Sequence, residues 1–201
     1  MPTVRTIARP LSFEIPKIKG SRFIAAAARA ESAEAARAFV EARRRELPDA
    51  THHCFAWRLG RGENAFRTAD DGEPSGTAGR PILQQIDARR LTDVAVVVSR
   101  YFGGTKLGTG GLVRAYGGAA AEVLARAGVV ELPVVAVLRL GYGYEQTGAV
   151  RGVLASFGLA AERPDYGAAV RVEVAVPVEE VEDVRRALRD ATGGRIEIEE
   201  G

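Results

Sequence analysis

The chain has 201 residues, 46% of them hydrophobic and 27% charged, the make-up of an ordinary globular protein with room for one sizeable core or two small ones. No apolar run approaches the ~18 residues of a membrane span, the opening MPTVRTIARPLSF lacks the apolar stretch of a signal peptide, and one cysteine, Cys54, excludes an intramolecular disulfide. The formal charge of +2 hides a division: residues 1–130 carry 20 Lys and Arg against 13 Asp and Glu, net +7, while residues 131–201 carry 8 against 13, net −5. A cytoplasmic protein with no membrane partner is expected, built of two modules with different surfaces. The basic module suits a polyanion such as nucleic acid, although solvated helix faces would account for the same count.

In chain order, residues 4–18 and 21–28 read as two strands around Lys19-Gly20-Ser21. Ser32 is set to cap a helix running to about Leu47, with Ala35, Ala38, Phe39 and Ala42 on its apolar face and Pro48-Asp49 ending it. HHCFAWRL alternates as a strand. Residues 60–78 read as one long loop, and long loops are often functional. Residues 79–90 suggest a short helix, opened by Gly79-Arg80-Pro81 with proline at the first helical position. DVAVVVS is the continuous apolar run of a strand buried on both faces. A helix from about Thr109 to Arg126 follows, ended by Gly128. After Pro133 the pattern restarts. VVAVLRLGY is a strand, residues 144–157 a helix with Val150, Leu154 and Phe157 inward, LAAERPDYG and AAVRVEVAV two strands, VEEVEDVRRALRD an amphipathic helix, and RIEIEE a closing strand. This βαββαβ order is the ferredoxin-like arrangement. The division is expected near Glu131-Leu132-Pro133, giving domains 1–131 and 132–201 of an α+β protein.

Two stretches carry chemistry. SRYFGGTKLGTGG, Ser99 to Gly111, lies between the apolar strand and the following helix. A Walker A loop fails in register, because Lys106 follows Thr105 and precedes Leu107. The dinucleotide fingerprint starts at Gly108 and Gly110 but meets Val113 where its third glycine belongs. The physics beneath those motifs survives. Thr109 can cap a helix whose free N–H groups attract an anion, and Gly108, Gly110 and Gly111 permit close approach to the backbone. Arg100, Lys106 and Arg114 stand in a run from Ser99 to Gly118 without one acid. Tyr101 and Phe102 offer flat surface to a base. Tight turns with a solvated lysine would explain the same residues.

The second stretch is ADDGEPSGTAGRPIL, Ala69 to Leu83. Asp70, Asp71 and Glu73 are close enough in sequence to hold a hard cation, though the EF-hand spacing does not fit. Arg80 can take a phosphate or pair with an aspartate. His52 and His53 point to opposite faces of a strand and cannot share one metal in the usual way; one of them with Asp70 or Asp71 could hold a metal, though nothing in the spacing demands it. One buried, hydrogen-bonded histidine and a core Cys54 are expected. Ser75 would need a histidine folded beside it to act as a nucleophile.

DDGEPSGTAGRPIL followed by VVVSRYFGGTKLGTGGLVRAYG resembles the IMPACT/YigZ family, as do THHCFAWRLG and FEIPKIKGSRFIA. The resemblance covers most of residues 13–118, and Tyr144-Glu145-Gln146-Thr147-Gly148 extends it to the smaller second domain of bacterial members. It implies an N-terminal βαβ-crossover domain like domain IV of elongation factor G and a C-terminal ferredoxin-like domain like domain V. Eukaryotic members regulate translation with an additional N-terminal RWD domain, a mechanism not expected here. The resemblance suggests a non-catalytic RNA- or ribosome-binding protein without a cofactor. The anion site would comprise Arg80, Arg100, Tyr101, Lys106, Gly108, Thr109, Gly110, Gly111 and Arg114. The alternatives are an enzyme for a small phosphorylated substrate, using Asp70, Asp71 or Glu73 as acid, base or metal ligand, and an adaptor that binds protein through its C-terminal domain.

Overall fold

A computed structural model describes residues 2–60 and 65–201, so residues 61–64 of the expected 60–78 loop lie outside the described residues. The chain forms two compact units: Val4–Leu132, and Pro133–Gly201 joined by the residues up to Thr3. Among the described residues no helix is long and apolar enough to cross a membrane.

In the first unit a five-stranded sheet runs β2 (Leu11–Ile18), β3 (Ser21–Arg29), β6 (Val94–Tyr101), β4 (His52–Arg58), β5 (Phe66–Ala69). Every neighbouring pair is antiparallel. β3 and β4 therefore run the same way on either side of β6, joined by helix α1 (Ala33–Glu46) as a crossover unit. Helices α2 (Gly79–Ala88) and α3 (Thr109–Ala127) complete the unit, with a separate two-stranded pairing of β1 (Thr3–Ile7) and β7 (Val129–Pro133).

The apolar run of β6 is explained by helices on both faces. Val94, Val96 and Val98 enter a core with Ile82 and Ile86 of α2 and Tyr116, Ala120 and Val123 of α3. Ala95 and Val97 enter a second core with Ala36 and Val40 of α1. A pattern typical of parallel strands thus arises in an antiparallel sheet because the sheet is covered twice. Alanine favours helices, yet Ala25, Ala26 and Ala27 are strand residues. Their backbone is paired on both sides by β2 and β6. Ala25 and Ala27 share a core with Ala115, Ala119 and Ala120 of α3, and these short side chains let helix and sheet approach closely.

Several expectations need correcting. Residues 4–18 are two strands, parted at Ala8–Pro10, and β1 leaves to pair with β7 in another sheet. Ser32 does cap α1, its Oγ accepting from the Ala35 N–H at 3.1 Å. The buried face of α1 is Ala36, Val40 and Arg43 rather than Ala35, Ala38 and Ala42, which are exposed. With alanine on every side of the helix, composition could not choose between faces. The 60–78 loop contains β5, held by β4. In α2 the cap is Ala78 and proline occupies the third position, not the first; its missing N–H still costs nothing there, because the first-turn donors lack intrahelical partners.

In the second unit the sheet order is β11 (Ile196–Glu200), β8 (Val135–Tyr142), β10 (Val170–Pro177), β9 (Ala161–Tyr166). All its pairs are antiparallel. A 3-10 turn, Tyr144–Gln146, leads into α4 (Thr147–Ser156), and α5 (Val181–Thr192) joins β10 to β11. This is the ferredoxin-like arrangement expected. Val172 and Val174 of β10 pack with Leu138 and Leu140 of β8, Val150 and Leu154 of α4 and Leu188 of α5. Along β10 buried and more exposed residues alternate, the period of a strand with one face on the core.

Candidate functional site

The acidic motif is the framework of its own loop. Asp70 follows β5, and its Oδ1 accepts from the N–H groups of Ala78 at 3.0 Å and Gly79 at 2.9 Å, its Oδ2 from that of Gly76 at 2.8 Å. The carboxylate thereby occupies the start of α2, where unpaired N–H groups and the helix dipole favour an anion. Burial pushes the Asp70 pKa up, but the backbone donors outweigh it and hold the group below the usual carboxylate range. Asp71 bends the chain at φ 45°. Its Oδ1 takes Arg44 Nη2 at 2.7 Å and its Oδ2 the His53 N–H at 2.6 Å. Burial again opposes, but Arg44 and that N–H prevail and its pKa is lowered.

Glu73 joins the acidic stretch to the glycine-rich one. Its Oε1 accepts from Arg100 Nη1 at 2.6 Å and from the Tyr116 hydroxyl at 2.7 Å. The side chains of Arg100 and Glu73 are 5% and 4% exposed, which makes this a buried ion pair. Removing one partner of such a pair costs about 3–5 kcal/mol, because the other charge is left without compensation. Arg100 Nη2 also donates to Ser21 Oγ at 3.2 Å. Its guanidinium lies 5.5 Å from the ring centroids of both Phe23 and Phe102. His52 Nδ1 lies 2.8 Å from the Asp71 carbonyl, which can only accept, so that nitrogen carries the proton. His52 Nε2 then lies 3.8 Å from Glu73 Oε1.

The buried histidine is His53, whose Nδ1 is hydrogen-bonded to Ser99 Oγ at 2.9 Å. Burial, helped by nearby Arg44, lowers its pKa. Cys54 is fully buried, its thiol donating to the Asp70 carbonyl at 3.0 Å, and burial pushes the thiol pKa up. This disfavours the reactive thiolate. Asp70, Asp71 and Glu73 address three different sets of partners, and among the described residues no group of three His, Cys, Asp or Glu side chains is placed to hold a metal ion.

The glycine loop is built differently. Gly103 lies against the β2–β3 turn: a Cβ there would stand 2.0 Å from the Gly20 carbonyl carbon and 2.2 Å from Ser21 N. Only glycine permits that approach of two backbones. Beyond it Thr105, Lys106, Gly108, Thr109 and Gly110 are exposed, as is Arg114 one turn into α3. Thr109, expected as the cap, is instead the first helical residue. Gly108 occupies the cap at φ 73°, so no side chain caps α3, and its first turn holds no acid. Tyr101 is taken up by Arg22, whose guanidinium lies 5.0 Å from its ring centroid, while Phe102 is 49% exposed. Arg80 opens onto another surface, a cleft of about 620 Å³ lined by Phe66, Thr68, Ser75, Gln84 and Asp87 among others but by no residue of the glycine loop.

The structure therefore joins the two stretches through Glu73, Arg100 and Tyr116. Sequence reasoning missed Ser21 and Arg44, and it placed Tyr116 in the quoted motif and His52 beside the acidic stretch without assigning either its contact in this network. Each contacts a residue at least 19 positions away, for which spacing along the chain carries no signal.

Comparison with known proteins places this geometry. Residues 19–124 match the Impact N-terminal domain, and residues 140–195 match a domain of unknown function, DUF1949. The chain is 38% identical to the IMPACT family member YigZ of Escherichia coli, covering 92% of this chain and 91% of that one. It is 44% identical to an IMPACT family member of Thermus thermophilus, covering 90% and 99%, and 36% identical to YvyE of Bacillus subtilis, covering 92% and 85%. A crystal structure described as that of a hypothetical protein superposes with a TM-score of 0.76 at 36% identity, over 98% of this chain and 97% of the other. With both domains matched in order and relatives aligned along nearly their whole length, the chain belongs to the IMPACT family.

Proposed function

We propose that the protein is a non-catalytic RNA-binding protein of the cytoplasm that acts on the translation apparatus, gripping phosphates at the start of α3. In this reading residues 1–131 form the RNA-binding domain and residues 132–201 a second, ferredoxin-like domain. The observation that carries it is the contrast between two helix starts. At α2 the protein's own Asp70 fills the anion position. At α3 the cap is a glycine without a side-chain hydrogen bond, and exposed Lys106 and Arg114 flank it. A helix start left open and bordered by cations suits a phosphate. The net charge of +7 over residues 1–130 supplies the long-range attraction, and kinship with a family whose eukaryotic members regulate translation points to the same class of partner.

The enzymatic alternative relies on Asp70, Asp71 and Glu73, each of whose carboxylates is engaged in holding the fold, Glu73 through its Oε1. Arg100 is likewise committed to Glu73, so Arg100→Ala tests stability rather than contact with RNA. Lys106 and Arg114 are the cations to change. Titrating a labelled single-stranded RNA, and separately purified ribosomes, across a salt series tests the proposal. Affinity should fall with a log–log slope of about −0.7 per phosphate contacted. Lys106→Ala and Arg114→Ala should each weaken binding and flatten the slope by roughly one contact. No affinity for RNA at low salt, together with none for ribosomes, would refute it.

A further inference from the structure

The chain has three lysines, Lys17, Lys19 and Lys106, and the fold gathers them. Lys17 and Lys19 border the β2–β3 turn, and Gly20 of that turn is the residue against which Gly103 packs. Lys19 is therefore one residue, and Lys106 three, from a single backbone contact. All three side chains are exposed. The acid in these strands, Glu14, is occupied by a two-pronged pair with Arg22 at 2.8 and 2.9 Å. At the same contact stands Phe102, whose N–H donates to Thr51 Oγ1 at 3.1 Å. A guanidinium lies by its ring, that of Arg100, itself fixed by Glu73 and by a second ring, Phe23.

Resting on the RNA-binding reading above, we infer that this site takes an unpaired stretch of RNA, with one base stacked on Phe102 and the flanking phosphates held by the β2–β3 turn lysines as well as by Lys106. A half-exposed aromatic ring braced by a buried cation is a rigid platform, and a base can stack on it only when it is free of a duplex. Two lysine-bearing segments meeting beside the ring give a backbone on either side of that base something to bind. The acidic motif gains a role in this arrangement, since Glu73 holds the platform in place through Arg100.

The test compares a uridine single strand with an RNA duplex of equal length, using the intact chain. Wild type should bind the single strand more tightly. Phe102→Ala should weaken single-strand binding by about tenfold, within the range of one lost base stack, and leave duplex binding nearly unchanged. Phe102→Tyr should retain it. Lys17→Ala/Lys19→Ala should weaken both ligands and flatten the salt dependence. Unchanged thermal midpoints would show that each variant is folded, as expected for exposed positions. Equal affinity for duplex and single strand, or single-strand binding indifferent to Phe102→Ala, would overturn the stacking site while leaving the phosphate-binding reading intact. An unchanged salt slope in the double lysine variant would remove the turn from the site. No binding of either RNA at low salt would defeat this inference and the reading beneath it together.

Discussion

Asp70 does at the start of α2 what a bound anion would do, and its cost of removal follows from that. Asp70→Ala would leave the N–H groups of Gly76, Ala78 and Gly79 without their acceptor, a loss of about 2 kcal/mol by analogy with helix-cap deletions. The same residue shapes the response to acid. The folded-state pKa values of Asp70 and Asp71 are lowered, so as pH falls the unfolded chain takes up protons first. The stability they contribute is complete above the ordinary carboxylate range and disappears as pH drops through their folded values. His53 is also lowered, by burial and then by Arg44. Folding favours its neutral form, so its contribution is complete above the ordinary histidine pKa of about 6.5 and declines below it. Urea midpoints should therefore fall gently from about pH 6.5 and more steeply below about pH 4. Asp70→Ala should lower the midpoint at neutral pH and weaken the steeper step. A midpoint flat across both ranges, or an Asp70→Ala variant as stable as wild type, would contradict this account.

Between elements, glycine decides what can touch. Gly103 brings the end of β6 against the β2–β3 turn, and Gly103→Ala places a carbon where two backbone atoms stand within 2.2 Å. The turn and loop must part, at a cost of about 1–3 kcal/mol by comparison with overpacked cores. Gly118 is the contrast. It is exposed on α3 and a Cβ there meets nothing within 4 Å, so Gly118→Ala should stabilise by about 0.5–1 kcal/mol through helix propensity. Thermal melts of the two variants should shift in opposite directions. These glycines show why legibility was uneven. The strand β6, the start of α1 at Ser32 and the ferredoxin-like order were readable because each depends on local periodicity or a local cap. The inward face of α1 was not, because Ala35 and Ala36 look alike in sequence and only the packing of Val40 against the sheet separates them. Lys17, one residue before the end of β2, was unreadable as part of a site, since its link to Lys106 runs through a backbone contact between residues 20 and 103. The acids of residues 70–73 suggested a ligand site by composition alone, and their partners, Arg44, Arg100 and the start of α2, lie where only the folded chain puts them.

At the scale of the molecule, charge and core divide along the same line. The buried residues of the first unit form two cores on the faces of its own sheet, and those of the second form a separate one. The stretch 1–130 is net +7 and the stretch 131–201 net −5. On the RNA-binding reading proposed above, a polyanion is attracted to the first and repelled by the second, so the C-terminal stretch should lower rather than raise the affinity of the whole chain for RNA. Deleting residues 134–201 keeps β7 and every cation assigned to the site. The shortened chain should bind single-stranded RNA with the same number of phosphate contacts, hence the same salt slope, and with an affinity equal to or above that of the full chain at low salt. The gain, where present, should vanish as salt rises, because a repulsion between separated charges is screened whereas direct contacts lose affinity only by counterion competition. If the deletion instead abolishes RNA binding while the remaining chain stays folded by circular dichroism, the contacts reside in the ferredoxin-like unit. The open helix start at Gly108 would then have to be read as a turn rather than a site. Retention of RNA binding with loss of a protein partner would make the acidic unit the adaptor and leave the basic one as the RNA reader.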